Sequence, residues 1–319
     1  MKSNKTKKKI LVTGGSGMLG AACCSAYAKK YETYFSYNSN AMKIKGCKGF
    51  KAELSDAKET EKLFQKTKPD IVIHTAAQTN LELCEDMPDI AEKDNVRATA
   101  NVAEQCKKNG ALLIHISTNY VFDGARGNYK ETDKPSPVSV YAETKARSEG
   151  EVTKRLEKYF IVRTSIFGWN PVKEKVNSVT WMLRDLGAGK KILAIKDQLS
   201  SMILSNDLAD KLELLFDSGK YGVYNISTRN KIDRLSLANM IAEMYGFDKK
   251  LIQPVTFEEF SKLGYWKAKR PVDSSLDSSK FEKEFKTRLP TVEQCLRRFK
   301  EIGEGDYFKQ FKLEKGAQK

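Results

Sequence analysis

Two stretches of this chain have residue types and spacings that could do chemistry. In VYAETKARSE, Tyr141 and Lys145 stand four residues apart. A helix projects residues i and i+4 from one face, so the phenol and the ammonium would share one small volume. A free phenol titrates near ~10, and a cation beside it favours the phenolate. Such a tyrosine could exchange a proton near neutral pH. The same spacing also describes a surface pair, because lysines and tyrosines are both common here. The second stretch is TGGSGMLG, in which Gly14, Gly17 and Gly20 recur at three-residue intervals between an apolar run and a helical pattern. A strand-to-helix turn needs a residue without Cβ, a pyrophosphate must approach the backbone, and the helix must pack close to the strand. Free N–H groups and the positive end of the helix dipole then meet the anion. The stretch therefore reads as a dinucleotide cradle, with Ser16, Met18 and Leu19 completing its lining.

The second strand bears on which dinucleotide binds. An NAD site places Asp or Glu at the end of that strand, to accept from the ribose 2′-OH. Here YFSYN ends Phe35, Ser36, Tyr37, Asn38, with no carboxylate and with Lys43 and Lys45 close behind. Ser36 and Asn38 are thus expected at the cofactor. The room left for a 2′-phosphate favours NADP(H), with NAD(H) left open.

Both stretches need elements to hold them. KILVTGG reads as a buried strand and Met18 to Lys30 as a helix; YFSYN is a short strand and 55–66 a helix. PDIVIHTAA, ALLIHIS and YFIVRTS are further strands, separated by a long helix from about Pro88 to Asn109 and by one over 137–156 that carries Tyr141 and Lys145. Near-continuous apolar strands alternating with helices argue for a doubly wound parallel α/β sheet of Rossmann type, covered on both faces. After Gly168 the rhythm loosens. Helical stretches near 178–188, 207–217, 235–246 and 291–302 mix with short strands such as KILAI and YGVYNIS. We expect a dinucleotide-binding domain over 1–168 and a smaller mixed α/β substrate domain over 169–319. Segments around 190–230 are expected to return to the first domain.

At 319 residues the chain has ample material for a core, and 40% hydrophobic content is ordinary for a soluble protein. No apolar run approaches the ~18 residues needed to cross a bilayer. The charged MKSNKTKKKI start lacks the apolar stretch of a signal peptide, so no membrane association and a cytoplasmic address are expected. The six cysteines form no CxxC pair, and with only His74 and His115 no metal site is expected. Cysteines and histidines are read as packing residues. A net charge of +15 raises the question of nucleic acid. The lysines are dispersed, with excess only at the two ends, and no recognised nucleic-acid motif appears. The expectation is no nucleic-acid partner and a lysine-rich surface that would also suit a polyanionic small substrate.

Taken in order, TGGSGMLG, HTAAQT, ISTNYVFDG, YAETK and RTSIFG resemble the extended short-chain dehydrogenase/reductases. ISTNYVFDG followed by YKETDKPSPVSVYAETKARSE is most similar to the dTDP-4-dehydrorhamnose reductase branch. The similarity spans about 9–190 and resumes at RPVDSSLDSSK. It implies NAD(P)H-dependent reduction of the C4 ketone of a nucleotide-linked 4-keto-6-deoxy sugar, in deoxysugar or cell-surface polysaccharide biosynthesis. Tyr141 and Lys145 match the family's YxxxK pair and Thr118 its catalytic hydroxyl. In that scheme Thr118 polarises the carbonyl, Tyr141 donates the proton, and Lys145 holds the nicotinamide ribose and keeps Tyr141 acidic. The resemblance further implies that Glu53 and Leu54 contact the adenine, and that Ala76 and Ala77 line the ribose and pyrophosphate. Thr164 and Ser165 would lie beside the nicotinamide, and Thr79, Asn119, Tyr120, Asn177 and Arg270 would face the sugar nucleotide. It leaves a homodimer open.

The chain departs from that branch in two places. Asn119 stands where the branch commonly has Asp, keeping the size and losing the charge. In KDQLSSMIL, Ser200, Ser201 and Met202 replace a glycine and a Pro-Thr pair on the substrate side. Three rival functions follow. A nucleotide-sugar epimerase uses the same Thr/Tyr/Lys set with tightly held NAD⁺, whereas a 4,6-dehydratase would need two acids where Asn119 and Tyr120 stand. The branch also resembles the regulatory subunit of methionine adenosyltransferase, a non-catalytic NADP-binding partner protein.

Overall fold

The computed structural model describes residues 7–172 and 174–313; the basic ends noted above lie partly outside them. The first half of the chain lays down, in order, β1 (Lys9–Thr13), α1 (Met18–Tyr27), β2 (Glu32–Tyr37), β3 (Met42–Ile44), β4 (Cys47–Lys51), α2 (Ala57–Thr67), β5 (Ile71–His74), α3 (Leu81–Asp86), α4 (Pro88–Ala91), α5 (Ala98–Asn109), β6 (Leu112–Ile116), α6 (Val140–Arg155) and β7 (Tyr159–Arg163). Then follow β8 (Ile166–Phe167), α7 (Ser178–Gly187), β9 (Ile192–Ile195), β10 (Leu199–Ser200), β11 (Ile203–Leu204), α8 (Ser205–Leu212) and β12 (Gly222–Asn225). The last third contributes β13 (Ile232–Asp233), α9 (Arg234–Tyr245), β14 (Ile252–Val255), α10 (Phe257–Lys262), α11 (Ser279–Phe285), α12 (Val292–Glu304) and β15 (Phe311–Leu313).

Among the described residues, seven strands form one sheet in the order β12-β7-β6-β5-β1-β2-β4. Every pairing within it is parallel. The apolar strand runs hide a period of two. Ile10, Val12, Ile71, Ile73, Ile114, Phe160 and Val162 face one core with α1 and α8. Leu11, Val72, Leu113 and Ile161 face a second core with Leu63, Phe64, Val102, Cys106 and Val152. Burial on both faces is what makes the strands read as continuous hydrophobic segments.

The chain starts in the middle of the sheet, builds outward through β2 and β4, then returns to place β5 on the other side of β1. The order therefore reverses between β1 and β5. In an open parallel sheet the crevice at that point, outside the carboxyl ends of the strands, receives the ligand.

Of the 190–230 segment, β12 joins the large sheet beside β7, and α8 packs against α1. β9 instead pairs with β14 in a separate two-stranded parallel ribbon, and β11 pairs with β8. The first apolar core continues without a break through Met182, Leu186, Ile192, Leu237 and Ile241.

Among the elements that differ from the sequence reading, two bear on the site. The expected helix over 137–156 begins at Val140, because Ser139 is extended (φ −144°, ψ 159°) and its hydroxyl accepts from Ala142 N. Glu85 Oε1 accepts from Val140 N at 2.9 Å, so α3 closes the new helix's open end. The long helix over 88–109 is continuous but contains a π-helical turn at Glu92–Arg97. A π turn inserts a residue into the helical ladder and is common at functional sites. This one turns Asn95 inward.

Candidate active site

One cleft of about 1030 Å³ opens at the switch point between β1 and β5. Its floor is the turn after β1. Gly14 has φ +67°, and a Cβ there would come within 2.8 Å of Ala76 Cα, on the turn after β5. Gly20 lies in the first turns of α1, where a Cβ would meet Gly14 O at 2.3 Å and Gly15 Cα at 2.7 Å. These two glycines let helix, turn and neighbouring strand close on one another, whereas at Gly17 a Cβ would meet only Gly14 O, at 3.2 Å. Gly15, which the spacing argument passed over, abuts Phe35: a Cβ there would sit 2.5 Å from the Phe35 Cβ. We expect Gly20→Ala to lower stability by about 1–3 kcal/mol and to weaken NADPH binding about tenfold or more. Thermal unfolding and fluorescence titration check both.

The opposite wall carries the chemistry. Lys145 follows Tyr141 by one helical turn on α6, and both line the cleft with Thr118, which ends the segment after β6. Lys145 is 3% exposed, and its Nζ donates to Ile116 O at 2.8 Å. Burial lowers its pKa from the usual lysine range to about 8, against the pull of Glu149 one turn later. Tyr141 behaves differently from the sequence expectation. Burial pushes its phenol up to about 12, and Thr118 beside it pulls the other way. Lys145 does not hold the phenol acidic here, because its ammonium is turned to the β6 carbonyl. A phenol this reluctant to ionise is a stored proton at neutral pH.

Beneath these groups lies a polar layer that the motifs do not reveal. Asn95, brought inward by the π turn, accepts from Gln78 N at 2.8 Å and donates to Thr144 Oγ1 at 3.0 Å, tying α6 to the β5 turn. Glu149 accepts from Arg163 Nη2 at 2.7 Å and from Ser117 Oγ at 2.5 Å, a buried pair that braces α6 against β7. The only sequence signal for Asn95 is a polar residue in the apolar stripe of a helix.

His74 and His115 stack at 5.4 Å between centroids. His74 bonds Thr13 Oγ1 (2.7 Å) and Thr99 Oγ1 (3.1 Å), and His115 bonds Ser148 Oγ (3.0 Å). Burial, aided by the Lys145 charge, lowers His74 to about 3 and His115 well below the ordinary histidine range. Unfolded histidine titrates near ~6.5, so neutral burial stabilises the fold fully above that pH and progressively less below it. The loss is about 1.4 kcal/mol per imidazole per pH unit. We expect the urea midpoint to fall between pH 6.5 and 5; a flat midpoint there would contradict neutral burial of the pair.

The cleft collects almost every residue the sequence singled out. Gly14, Ser16, Gly17, Met18, Leu19 and Gly20 line it from the floor, Ser36, Asn38, Glu53 and Leu54 from the β2–β4 edge, and Ala76, Ala77 and Thr79 from the turn after β5. Thr118, Asn119, Tyr120, Thr164, Ser165 and Asn177 line the far side. No carboxylate stands at 36–40, although Glu53 Oε2 accepts from Asn38 Nδ2 at 3.2 Å and from Lys93 at 2.9 Å. Asn177 is spent on capping α7, accepting from Val179 N and Thr180 N while donating to Gly168 O at 2.7 Å.

Arg270 is the exception: it does not line the cleft, and it pairs with Glu82 at 2.5 Å. The guanidinium in the cleft is Arg234, which the sequence reading missed because nothing in its surroundings resembles a motif.

The departures from the branch pattern meet in space. Asn119 is 2% exposed; its amide donates to Ser274 Oγ (2.7 Å), Ser274 O (3.1 Å) and Ser200 Oγ (3.3 Å). Its Oδ1 accepts from Thr118 Oγ1 at 3.3 Å. A carboxylate at 119 has no proton to give the Ser274 carbonyl, so the neutral amide fits the serines around it.

These residues fit a dinucleotide: a floor closed to a Cβ at Gly14 and Gly20, a polar rim without a carboxylate at the second strand, and a cleft long enough to reach Tyr141. Among the described residues no helix is long and apolar enough to cross a membrane.

Comparison with known proteins agrees with this geometry. The family described as RmlD substrate binding domain matches residues 8–302. A dTDP-4-dehydrorhamnose reductase from Bacillus anthracis, solved in complex with NADP, superposes with a TM-score of 0.82 at 28% identity, covering 92% of this chain and 99% of that one. A probable low-salt glycan biosynthesis reductase of Haloferax volcanii is 28% identical over 89% of this chain and 95% of its own length. The methionine adenosyltransferase 2 subunit beta of Rattus norvegicus is also 28% identical, over 88% of this chain and 83% of its own.

Proposed function

From the premise that this chain belongs to the RmlD substrate binding domain family, as an NAD(P)-dependent oxidoreductase of the extended short-chain dehydrogenase/reductase type, we propose that it reduces the C4 ketone of a nucleotide-linked 4-keto-6-deoxy sugar. The observation that carries this reading is the convergence of Thr118, Tyr141 and Lys145 on the cleft floored by the Gly14–Gly20 turn. NADPH is the favoured coenzyme, and NADH stays open.

When bound, the reduced nicotinamide supplies a hydride to the carbonyl carbon. The single hydroxyl proton of Thr118 rests on Asn119 Oδ1 at 3.3 Å and would turn from there to the carbonyl oxygen when substrate binds. Tyr141 gives its proton to the same oxygen as negative charge grows there. A phenol raised to about 12 arrives at this step protonated, which suits reduction better than the reverse oxidation. Solvent returns the proton to Tyr141, while Lys145, charged below about 8 and held at the β6 carbonyl, would bind the coenzyme ribose.

The test is a panel of 4-keto-6-deoxy sugar nucleotides assayed for NADPH oxidation, with the purified protein checked for bound coenzyme. Consumption of NADPH with release of the coenzyme supports the reductase. A chain that copurifies with NAD⁺ and shows no net consumption is an epimerase instead. The 28% identity to the methionine adenosyltransferase subunit keeps a non-catalytic role in view. NADPH binding without turnover on any substrate would favour that role.

A further inference from the structure

Family resemblance placed Arg270 facing the sugar nucleotide, but the fold presents another guanidinium to the cleft. Arg270 is already occupied, held 2.5 Å from Glu82 and stacked 4.1 Å from the Trp266 ring centroid. Arg234, at the start of α9 and 5.9 Å from the same centroid, lines the cleft with Tyr120 and Gln198. Its Nε donates to Gln198 Oε1 at 2.7 Å. Gln198 is fixed in turn by a bond from Nε2 to Pro271 O at 2.9 Å, so the guanidinium fork is held in one orientation.

What Arg234 lacks is a counter-charge. Among the described residues no carboxylate pairs with it, and adjacent Asp233 is committed to capping α9 through Ser236 N (2.8 Å) and Ser236 Oγ (2.6 Å). Burial disfavours its charge, and nearby Arg270 adds repulsion. A desolvated cation bonded only to neutral groups is costly, and an anion entering the cleft would relieve it. Arg234 lines the cleft, and a planar guanidinium fork there can give two parallel bonds to phosphate oxygens.

We propose that Arg234 anchors the diphosphate of the substrate, with Gln198 as the residue that positions it. This rests on the reading of the substrate as a nucleotide-linked sugar, and it assigns the nucleotide's phosphates to the α9 side of the cleft beside Tyr120. Arg270 holds the neighbouring loop to α3 and takes no part.

The test is direct binding rather than turnover. Calorimetric titration of the full chain with dTDP and UDP would be compared with thymidine and uridine, which lack the diphosphate, and with glucuronate, an anion of another kind. Arg234→Gln is expected to lose about thirtyfold or more in diphosphate affinity, while Arg270→Gln stays within about threefold. Arg234→Lys should recover part of the loss, and NADPH affinity should be unchanged in all three. Equal affinity of Arg234→Gln and the parent chain for both diphosphates would overturn the proposal, as would a parent chain that binds neither. So would a loss confined to glucuronate, or a parallel loss of NADPH affinity. Failure of every 4-keto sugar to oxidise NADPH would remove the reductase reading and leave a measured diphosphate anchor standing.

Discussion

Replacing Tyr141 by phenylalanine is expected to lower kcat for ketone reduction by about 10²–10⁴-fold while leaving NADPH affinity within about twofold. The phenol is buried against α3 and the Thr118 turn, so the ring of phenylalanine fills the same space and only the hydroxyl is lost. That hydroxyl carries the proton the new alcohol needs. Burial keeps it protonated through the neutral range, so the parent rate should show no loss of the donor at pH 7 to 9. Single-turnover kinetics with preloaded NADPH separate the chemical step from binding. A Tyr141→Phe enzyme that turns over at the parent rate would require another proton donor.

Lys145→Ala should damage both coenzyme binding and rate, by about 10²-fold or more in kcat/KM, because it removes a buried cation held at the β6 carbonyl. The ionisation of Lys145 gives this prediction a direction in pH. The ammonium is present below about 8 and is lost above it. The parent kcat/KM should therefore be level from pH 6 to 7.5 and fall with rising pH beyond about 8. In Lys145→Ala that alkaline fall should vanish while the residual rate stays low. A parent profile without an inflection between pH 7 and 9 would contradict the buried-lysine assignment.

How much of this could be read beforehand differs from residue to residue. The cradle was legible because Gly14 and Gly20 answer local steric demands, and local demands leave a mark in local sequence. Tyr141 and Lys145 were legible as a pair for the same reason, since four residues of helix fix their relation. The Tyr141 pKa was not legible. Spacing brings an amine near a phenol, but burial and the carbonyl that captures the amine belong to the tertiary structure, and burial proved the larger influence. Arg234 and Arg270 make the same point at longer range. Both lie near Trp266, and only the fold shows that Glu82 has claimed one of them. Asn95 was hidden because its inward turn depends on an inserted residue in the helical ladder, which no periodicity argument anticipates. The short β3 and β4 were missed as well: KGF and MKI lack the apolar runs that marked the other strands, and β4 is an exposed edge.

The late arrival of β12 beside β7 has a consequence for how such a molecule can be cut and recombined. A gene fragment ending at Gly168 would leave the β7 margin bare. Phe160 and Val162 would lose the cover of Leu208, Tyr224 and Phe299, which share their core. Such a fragment should aggregate rather than bind coenzyme.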